Sequence, residues 1–302
     1  MRCLVTGGTG FIGSNIALEL LKQGHEVIIT GSYYEQSLPE FHGKTLYPSF
    51  IGLDFSRIGK VDVLFHQAAI NDTQFKDKSE IFRANVDSSR ELFKHVIAAG
   101  CKHIVYASST AIYGNLPAPY VEGMPPEPMN PYAESKVALE KLSEELQHKH
   151  HDVIFVGLRY CNVYGPREFH KGRLSTMIYQ FAQQMQKGDP KMFKYGEQKR
   201  DYIYVKDVVK ANILAAKATK SGVVNCGSGK ATTFNEIIDI LNKVLGLKRK
   251  PVYIDNPYGK DYQSHTECNM DKAKELIGFV PEYDIEKGIK DYKESGFLVM
   301  QK

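Results

Sequence analysis

The chain predicts an α/β fold, a doubly wound parallel sheet with a smaller C-terminal α/β domain. Three observations carry that expectation. An apolar run, Arg2-Cys3-Leu4-Val5-Thr6, opens into a glycine turn and a helical period before a second apolar run at Glu26–Thr30. Further short apolar runs then alternate with long helical stretches, as a parallel sheet covered on both faces requires. Finally, Asn130-Pro131-Tyr132-Ala133-Glu134-Ser135-Lys136 opens one of those helices with a phenol and an ammonium stacked one turn apart.

In chain order, the first unit is strand, glycine turn, helix, strand. Gly7, Gly10 and Gly13 follow the spacing G-x-x-G-x-x-G. They permit a tight turn, close backbone approach to a pyrophosphate, and amides at a helix start that face an anion. This is the entry of a Rossmann-type dinucleotide site. The ribose pocket falls after the second strand, at Thr30-Gly31-Ser32-Tyr33-Tyr34, where an NAD-preferring site carries an acid. Its absence, with the hydroxyls of Thr30 and Ser32, points to NADP, with NAD as the alternative. Phe50-Ile51-Gly52-Leu53 reads as a strand whose following Asp54 meets the adenine edge. The strand Val61–His66 is followed by Ala68 and Ala69, small enough for a cofactor to lie close. A helix over Glu80–Ala99 leads to a strand at Lys102–Tyr106, and a helix over Tyr132–His148 to a strand at Val153–Leu158.

The six prolines between Asn115 and Pro131 stiffen a loop that roofs the site. Beyond Gly165-Pro166 the alternation fades. Residues 1–164 are therefore expected to form the nucleotide-binding domain, with a returning segment at about 200–226, and residues 165–302 mainly the substrate domain. Strands are expected at Arg200–Val205 and Gly222–Asn225, packing back on the main body.

Composition narrows the class. A net charge of +4 without a basic block argues against nucleic acid as partner. Five scattered cysteines without a C-x-x-C pair read as reduced thiols, and the start of the chain shows no leader pattern, so a cytoplasmic enzyme is expected. No apolar run is long enough to span a bilayer, and no metal set is spaced for ligation. The tract Gln147-His148-Lys149-His150-His151 reads as a solvated helix end.

The chemistry centres on Tyr132 and Lys136. A phenol titrates near pH ~10, too high for a base at neutral pH. An ammonium one turn away favours the phenolate and makes a usable acid/base.

With Thr6-Gly7-Gly8-Thr9-Gly10-Phe11-Ile12-Gly13, Ser108-Ser109, Tyr113-Gly114 and Tyr132-x-x-x-Lys136, the whole chain resembles the extended short-chain dehydrogenase/reductase family. The resemblance implies a tightly held NAD(P) that removes and returns a hydride, with Tyr132 as acid/base, Lys136 on the nicotinamide ribose and Ser109 on the substrate oxygen. It places the cofactor against Gly7, Gly10, Phe11, Ile12, Gly13, Ser32, Asp54, Ala68, Ala69, Tyr132, Lys136 and Val163. It places a nucleotide-sugar substrate against Ser109, Asn162, Arg173, Arg200 and Tyr262. Thr110-Ala111 after Ser109 departs from the Asp-Glu of the 4,6-dehydratases, and no cysteine stands beside the serine as in the GDP-fucose synthases.

Arg159 to Gly172, with His170-Lys171-Gly172, resembles the ADP-L-glycero-D-manno-heptose 6-epimerases, where such a lysine is a second acid/base. Two proton-exchanging groups, Tyr132 and Lys171, suit a planar C6″ aldehyde reduced from its other face. Lys199–Val205 and Tyr262-Gln263 share that resemblance, but Asp261 stands where those enzymes carry Arg. The runner-up is a UDP-hexose 4-epimerase, in which the keto sugar rotates and Lys171 is dispensable. An NADPH-dependent reductase and a non-catalytic NAD(P)-sensing protein are the remaining alternatives. Pairing into a homodimer or higher oligomer is expected, through apolar positions of the Glu91–Ala99 and Val137–Leu146 helices or else with those positions in the core.

Overall fold

The computed structural model describes residues 1–31, 38, 40–46, 50–256 and 263–299. Strands β1 (Arg2–Thr6), β2 (Glu26–Thr30), β3 (Lys44–Leu46), β4 (Val63–His66), β5 (His103–Ser109) and β6 (Ile154–Tyr160) come first. They are followed by β7 (Asn162–Tyr164), β8 (Lys191–Phe193), β9 (Lys199–Tyr204), β10 (Gly222–Cys226), β11 (Ala231–Thr233) and β12 (Val252–Ile254). Among the described residues the main sheet is seven-stranded, in the order β10-β6-β5-β4-β1-β2-β3. Each adjacent pair is parallel. The order reverses direction between β1 and β4, where an open α/β sheet offers a crevice at the strands' carboxyl ends.

Both faces of this sheet are apolar because each strand alternates between two buried layers. Cys3 and Val5 of β1 face one layer with α1 (Phe11–Lys22), whereas Leu4 faces the other. On that second side lie α2 (Lys78–Phe82), α3 (Ser88–Ala98) and α4 (Pro131–Lys149). Leu92, Phe93 and Val96 of α3 and Leu139, Leu142 and Leu146 of α4 are buried in this core. The apolar positions expected to mediate pairing are thus largely spent inside one chain.

The smaller unit gathers α5 (Met177–Met185), α7 (Phe234–Leu245) and α9 (Ile285–Glu294) around Phe181, Ile237, Leu241 and Tyr292. Helix α6 (Val205–Ala215) and α8 (Asp271–Ile277) instead pack on the first layer of the main sheet. Of the segment expected to return, Gly222–Cys226 adds β10 beside β6. Lys199–Tyr204 does not join that sheet; it pairs with β7 and β11 in a three-stranded one.

Two sequence expectations need correction. Phe50–Leu53 is no strand, because Gly52 has a φ of +77° and turns the chain there. Phe50 and Leu53 are still buried, which is why the run looked strand-like. The helix expected over Glu80–Ala99 contains a π-turn at Arg83–Asp87 between α2 and α3.

Candidate active site

The site lies where β5 ends and α4 begins. Asn130 accepts the amide of Ala133 at 2.9 Å and Pro131 occupies the first turn, which fixes where α4 starts. From that start Tyr132 and Lys136 project toward Ser109, the last residue of β5. All three line a cavity of about 390 Å³ together with Asn162, Val163, Lys171, Arg200 and Tyr202.

A second cavity of about 500 Å³ adjoins it, lined by Gly7, Gly10, Phe11, Ile12, Gly13, Gly31, Ala68 and Ala69. Phe11, Ile12, Ala69 and Lys171 line both, so the two share a wall. The second cavity is shaped for a dinucleotide. A Cβ at Gly13 would stand 2.2 Å from the Gly7 carbonyl, and Gly7 itself has a φ of +64°. Gly10 caps α1 with no side chain, leaving its first-turn amides to an anion. The residues present therefore fit a nicotinamide dinucleotide, with Val163 on the reactive side of the join.

Electrostatics distinguish the three central groups. Lys136 is 2 % exposed and donates to the Ala107 carbonyl at 2.8 Å. Burial pulls its ammonium down to about 8, against the opposing charge of Glu140 on the next turn. Burial pushes the Tyr132 phenol up, and its hydrogen bond with Ser109 opposes that rise. Here the sequence expectation fails in one respect: in the protein alone, the ammonium does not lower the phenol. Lys136 sits 5.6 Å from the Tyr132 ring centroid with one of its three N–H donors on the Ala107 carbonyl, and desolvation outweighs the one lowering influence on the phenol, its hydrogen bond with Ser109.

Lys171 comes from a 3₁₀ turn, Glu168–Leu174, kinked at Gly172, whose φ is 52°. The turn is anchored from below by Glu168, fully buried, which accepts the amides of Gly165 at 3.2 Å and Thr176 at 2.8 Å. Nζ of Lys171 lies 5.7 Å from the Phe11 ring centroid. Its pKa is drawn down by burial and back up by Glu168.

Other expected contacts fall elsewhere. Asp54 is not on either cavity wall; its carboxylate caps the turn Phe55–Arg57 through Ser56 at 3.0 Å and 2.7 Å. Arg173 is exposed and paired with Asp72, so its guanidinium does not line the substrate cavity. Asn162 and Arg200 do line it, although Asn162 Nδ2 donates to the Asp201 carbonyl at 3.2 Å and Arg200 to that of Gln263. Ser32, Asp261 and Tyr262 lie outside the described residues.

Two residues of the site were not anticipated. Asn85, inside the π-turn, holds both backbone groups of Ile70 at 2.8 and 2.9 Å and the Ser135 hydroxyl at 3.0 Å. It thereby joins the wall of the dinucleotide cavity to the residue before Lys136. An Asn inside an apolar helical stretch was the available signal. Glu140, the second, is taken up below. The fold also brings Cys161, Asp201 and Cys268 within 4.8 Å of one another, far apart in sequence. The Asp201 carboxylate accepts from the amides of Ser228, Gly229 and Cys268 and the Ser228 hydroxyl, which makes it a strut for that loop.

Comparison with known proteins agrees with this geometry. Residues 3–227 match the family described as NAD dependent epimerase/dehydratase. The chain is similar to ADP-L-glycero-D-manno-heptose-6-epimerase of Brachyspira hyodysenteriae, 32% identical with 96% of each chain covered. Among solved structures it is similar to that enzyme from Helicobacter pylori, at 35% identity and a TM-score of 0.87, covering 97% of this chain and 95% of that one. It is also similar to UDP-glucose 4-epimerase of Thermotoga maritima with UDP-glucose, at 30% identity and a TM-score of 0.88, covering 97% and 98%. The glycine turn and the doubly wound sheet accord with these matches: this chain belongs to the NAD dependent epimerase/dehydratase family.

Proposed function

We propose that the protein inverts C6″ of an ADP-glycero-manno-heptose, oxidising it transiently and re-reducing it from the other face. The observation that carries this reading is the placement of Lys171 in the same cavity as Ser109 and Tyr132. Two groups able to exchange a proton then serve the two orientations of one substrate oxygen. Bound in the glycine-lined cavity, the nicotinamide cofactor supplies a hydride acceptor and donor.

The chain's own residues do the rest. Tyr132, sharing a hydrogen bond with Ser109, takes the proton of the substrate hydroxyl while Ser109 orients that oxygen. Lys136 contributes positive charge beneath them. Lys171 gives a proton to the aldehyde oxygen once the sugar presents it on the opposite side. Its burial lowers the ammonium toward the range in which it exchanges protons. Asn162 and Arg200 are assigned to the nucleotide-sugar diphosphate.

NMR product analysis tests the reading. Purified protein is incubated, without added cofactor, with ADP-D-glycero-D-manno-heptose, UDP-glucose or UDP-galactose. Inversion at C6″ is expected, with Lys171→Met lowering kcat roughly 10²-fold or more, the ordinary contribution of a positioned acid or base. Inversion at C4 of a UDP-hexose, indifferent to Lys171→Met, would support the second reading, which the likeness to the Thermotoga maritima enzyme favours.

For the cofactor, the lack of a carboxylate at Gly31 supports NADP, whereas the family description supports NAD. A Cβ at position 31 would stand 2.4 Å from the Thr9 side chain, which would have to shift to admit an acid there. Titration of both cofactors into stripped protein decides between them. A homodimer or higher oligomer in the cytoplasm completes the proposal; light scattering measures the first. Among the described residues no helix is long and apolar enough to cross a membrane.

A further inference from the structure

Behind the reacting groups lies a buried polar network that the proposed mechanism does not use. Glu140 stands one turn beyond Lys136 on α4, its side chain only 13% exposed. One carboxylate oxygen accepts the Ser108 hydroxyl at 2.5 Å and Arg159 Nε at 2.9 Å; the other accepts Arg159 Nη2 at 2.7 Å. Arg159 is a β6 residue in register with Ser108 of β5. Its Nη1 donates to the Tyr113 hydroxyl at 2.8 Å and to the Glu122 carbonyl at 3.3 Å, and that hydroxyl in turn donates to Asn225 of β10 at 2.8 Å. One side chain therefore clamps the helix that carries Tyr132 and Lys136 to the strand end that carries Ser109. A forked ion pair with both oxygens occupied holds its partners to a narrow geometry.

We infer that Glu140 is a positioning residue of the reaction, setting Ser109 against Tyr132 through Ser108 and Arg159 and opposing its charge to Lys136. This rests on the assignment of Ser109, Tyr132 and Lys136 to the chemistry. The charge argument is local. Around Lys136 stand Tyr132 and Glu140 on its own helix and His66 from β4, with Tyr160 from β6 and Lys171 on the same cavity wall; Glu140 in turn faces Tyr106 from β5 and Arg159 from β6, and Arg159 faces Tyr113 after β5. The pairs Lys78–Glu134 and Arg90–Glu145 tie α4 to α2 and α3. Burial holds His66 neutral and raises the three core tyrosines, so Glu140 is the anion of this group nearest in effect to Lys136. Without it, Arg159 is left as an unpaired cation and Lys136 loses its proton at lower pH.

The test uses Glu140→Gln and Ser108→Ala. In cofactor-free protein labelled at lysine, the Lys136 resonance, identified by its loss in Lys136→Met, is followed by NMR against pH. In Glu140→Gln it should titrate at least about half a pH unit below wild type, while Ser108→Ala, which keeps the carboxylate, leaves it in place. In turnover, Glu140→Gln should lower kcat roughly 10- to 100-fold with little change in KM, and move the alkaline limb of kcat to lower pH. Ser108→Ala should lower kcat severalfold with the pH profile unmoved. An unshifted Lys136 titration in Glu140→Gln, or a Ser108→Ala enzyme with wild-type kcat, overturns the inference. If Glu140→Gln does not fold, Ser108→Ala and Glu140→Asp, which retains the charge on a shorter arm and should lose kcat without a pH shift, decide it. A Tyr132→Phe protein that still turns over would overturn instead the assignment on which this rests.

Discussion

Replacing Lys136 by Met should make the cofactor-free protein more stable and inactive at once. Lys136 is 2 % exposed, and burial takes its ammonium from 10.5 to about 8. At 1.36 kcal/mol per unit, holding the charge in the folded chain at neutral pH costs about 3 kcal/mol relative to a neutral amine. Methionine fills similar volume without that cost, but leaves the Ala107 carbonyl without the donor it has at 2.8 Å, a loss of about 1–2 kcal/mol. The net expectation is a gain of roughly 1–2 kcal/mol, or a Tm about 2–3 °C higher for a chain of this size.

The sign with pH follows from linkage. The folded-state pKa of Lys136 lies below the unfolded one, so between about 8 and 10.5 the unfolded chain binds more protons. Wild-type stability from this group therefore rises with pH across that window, and the advantage of Lys136→Met shrinks toward zero. Differential scanning calorimetry of both proteins at about pH 7 and pH 9.5 measures it. A variant that melts below wild type by the same margin at both pH values would refute the reasoning, for it would mean the buried charge is fully compensated.

Three other outcomes follow from specific contacts. Gly13→Ala drives a Cβ to within 2.2 Å of the Gly7 carbonyl and should abolish measurable dinucleotide binding in a titration, with a lowered Tm. Asn85→Ala frees Ile70 and Ser135 together, and a loss of about 1–3 kcal/mol in thermal stability should accompany roughly tenfold weaker cofactor binding by calorimetry. His66 is buried neutral between Thr6 and Ser89, each at 2.8 Å, and burial lowers it from 6.5 to about 3. Its folded pKa lies below the unfolded one, so its contribution is present above about pH 6.5 and is lost as pH falls toward 3, by up to roughly 5 kcal/mol; His66→Asn should flatten acid unfolding followed by circular dichroism.

What the sequence makes legible is whatever depends on local chemistry. The glycine turn works through backbone conformation, and the start of α4 is written in Asn130 and Pro131, so both are readable from a few adjacent residues. Lys171 is found because its neighbours form a motif. What stays hidden depends on partners far away in the chain. Nothing near Asp54 says that Ser56 would take its carboxylate, and nothing near Arg173 says that Asp72, 101 residues earlier, would hold it at the surface. Asn85 and Glu140 matter only because β5, β6 and the Ile70 loop are brought beside them. Phe50–Leu53 misleads because burial alone, without the pairing that Gly52 prevents, leaves the same apolar signature as a strand.

The charge state of the Tyr132–Lys136 pair belongs to the hidden class although its spacing does not. Four residues of helix bring the two side chains together, but the sequence cannot show that the fold strips much of the surrounding solvent from both. There desolvation raises the phenol and lowers the ammonium, which moves their proton affinities further apart than in water, with the phenol now the tighter holder of its proton, and leaves neither group charged at low cost. A phenol prepared for deprotonation therefore requires more positive charge than Lys136 supplies from its bond to Ala107. The adjoining glycine-lined cavity is where such charge would enter with an oxidised nicotinamide. On the proposed assignment of Tyr132 as acid/base, competence should then depend on an occupied dinucleotide site, with the tyrosine protonated when that site is empty. The pH titration of Tyr132, followed by ultraviolet difference absorbance against Tyr132→Phe, should move downward by at least about one pH unit when oxidised cofactor saturates the protein. An unmoved titration would place the activation of this phenol entirely in Ser109 and Lys136.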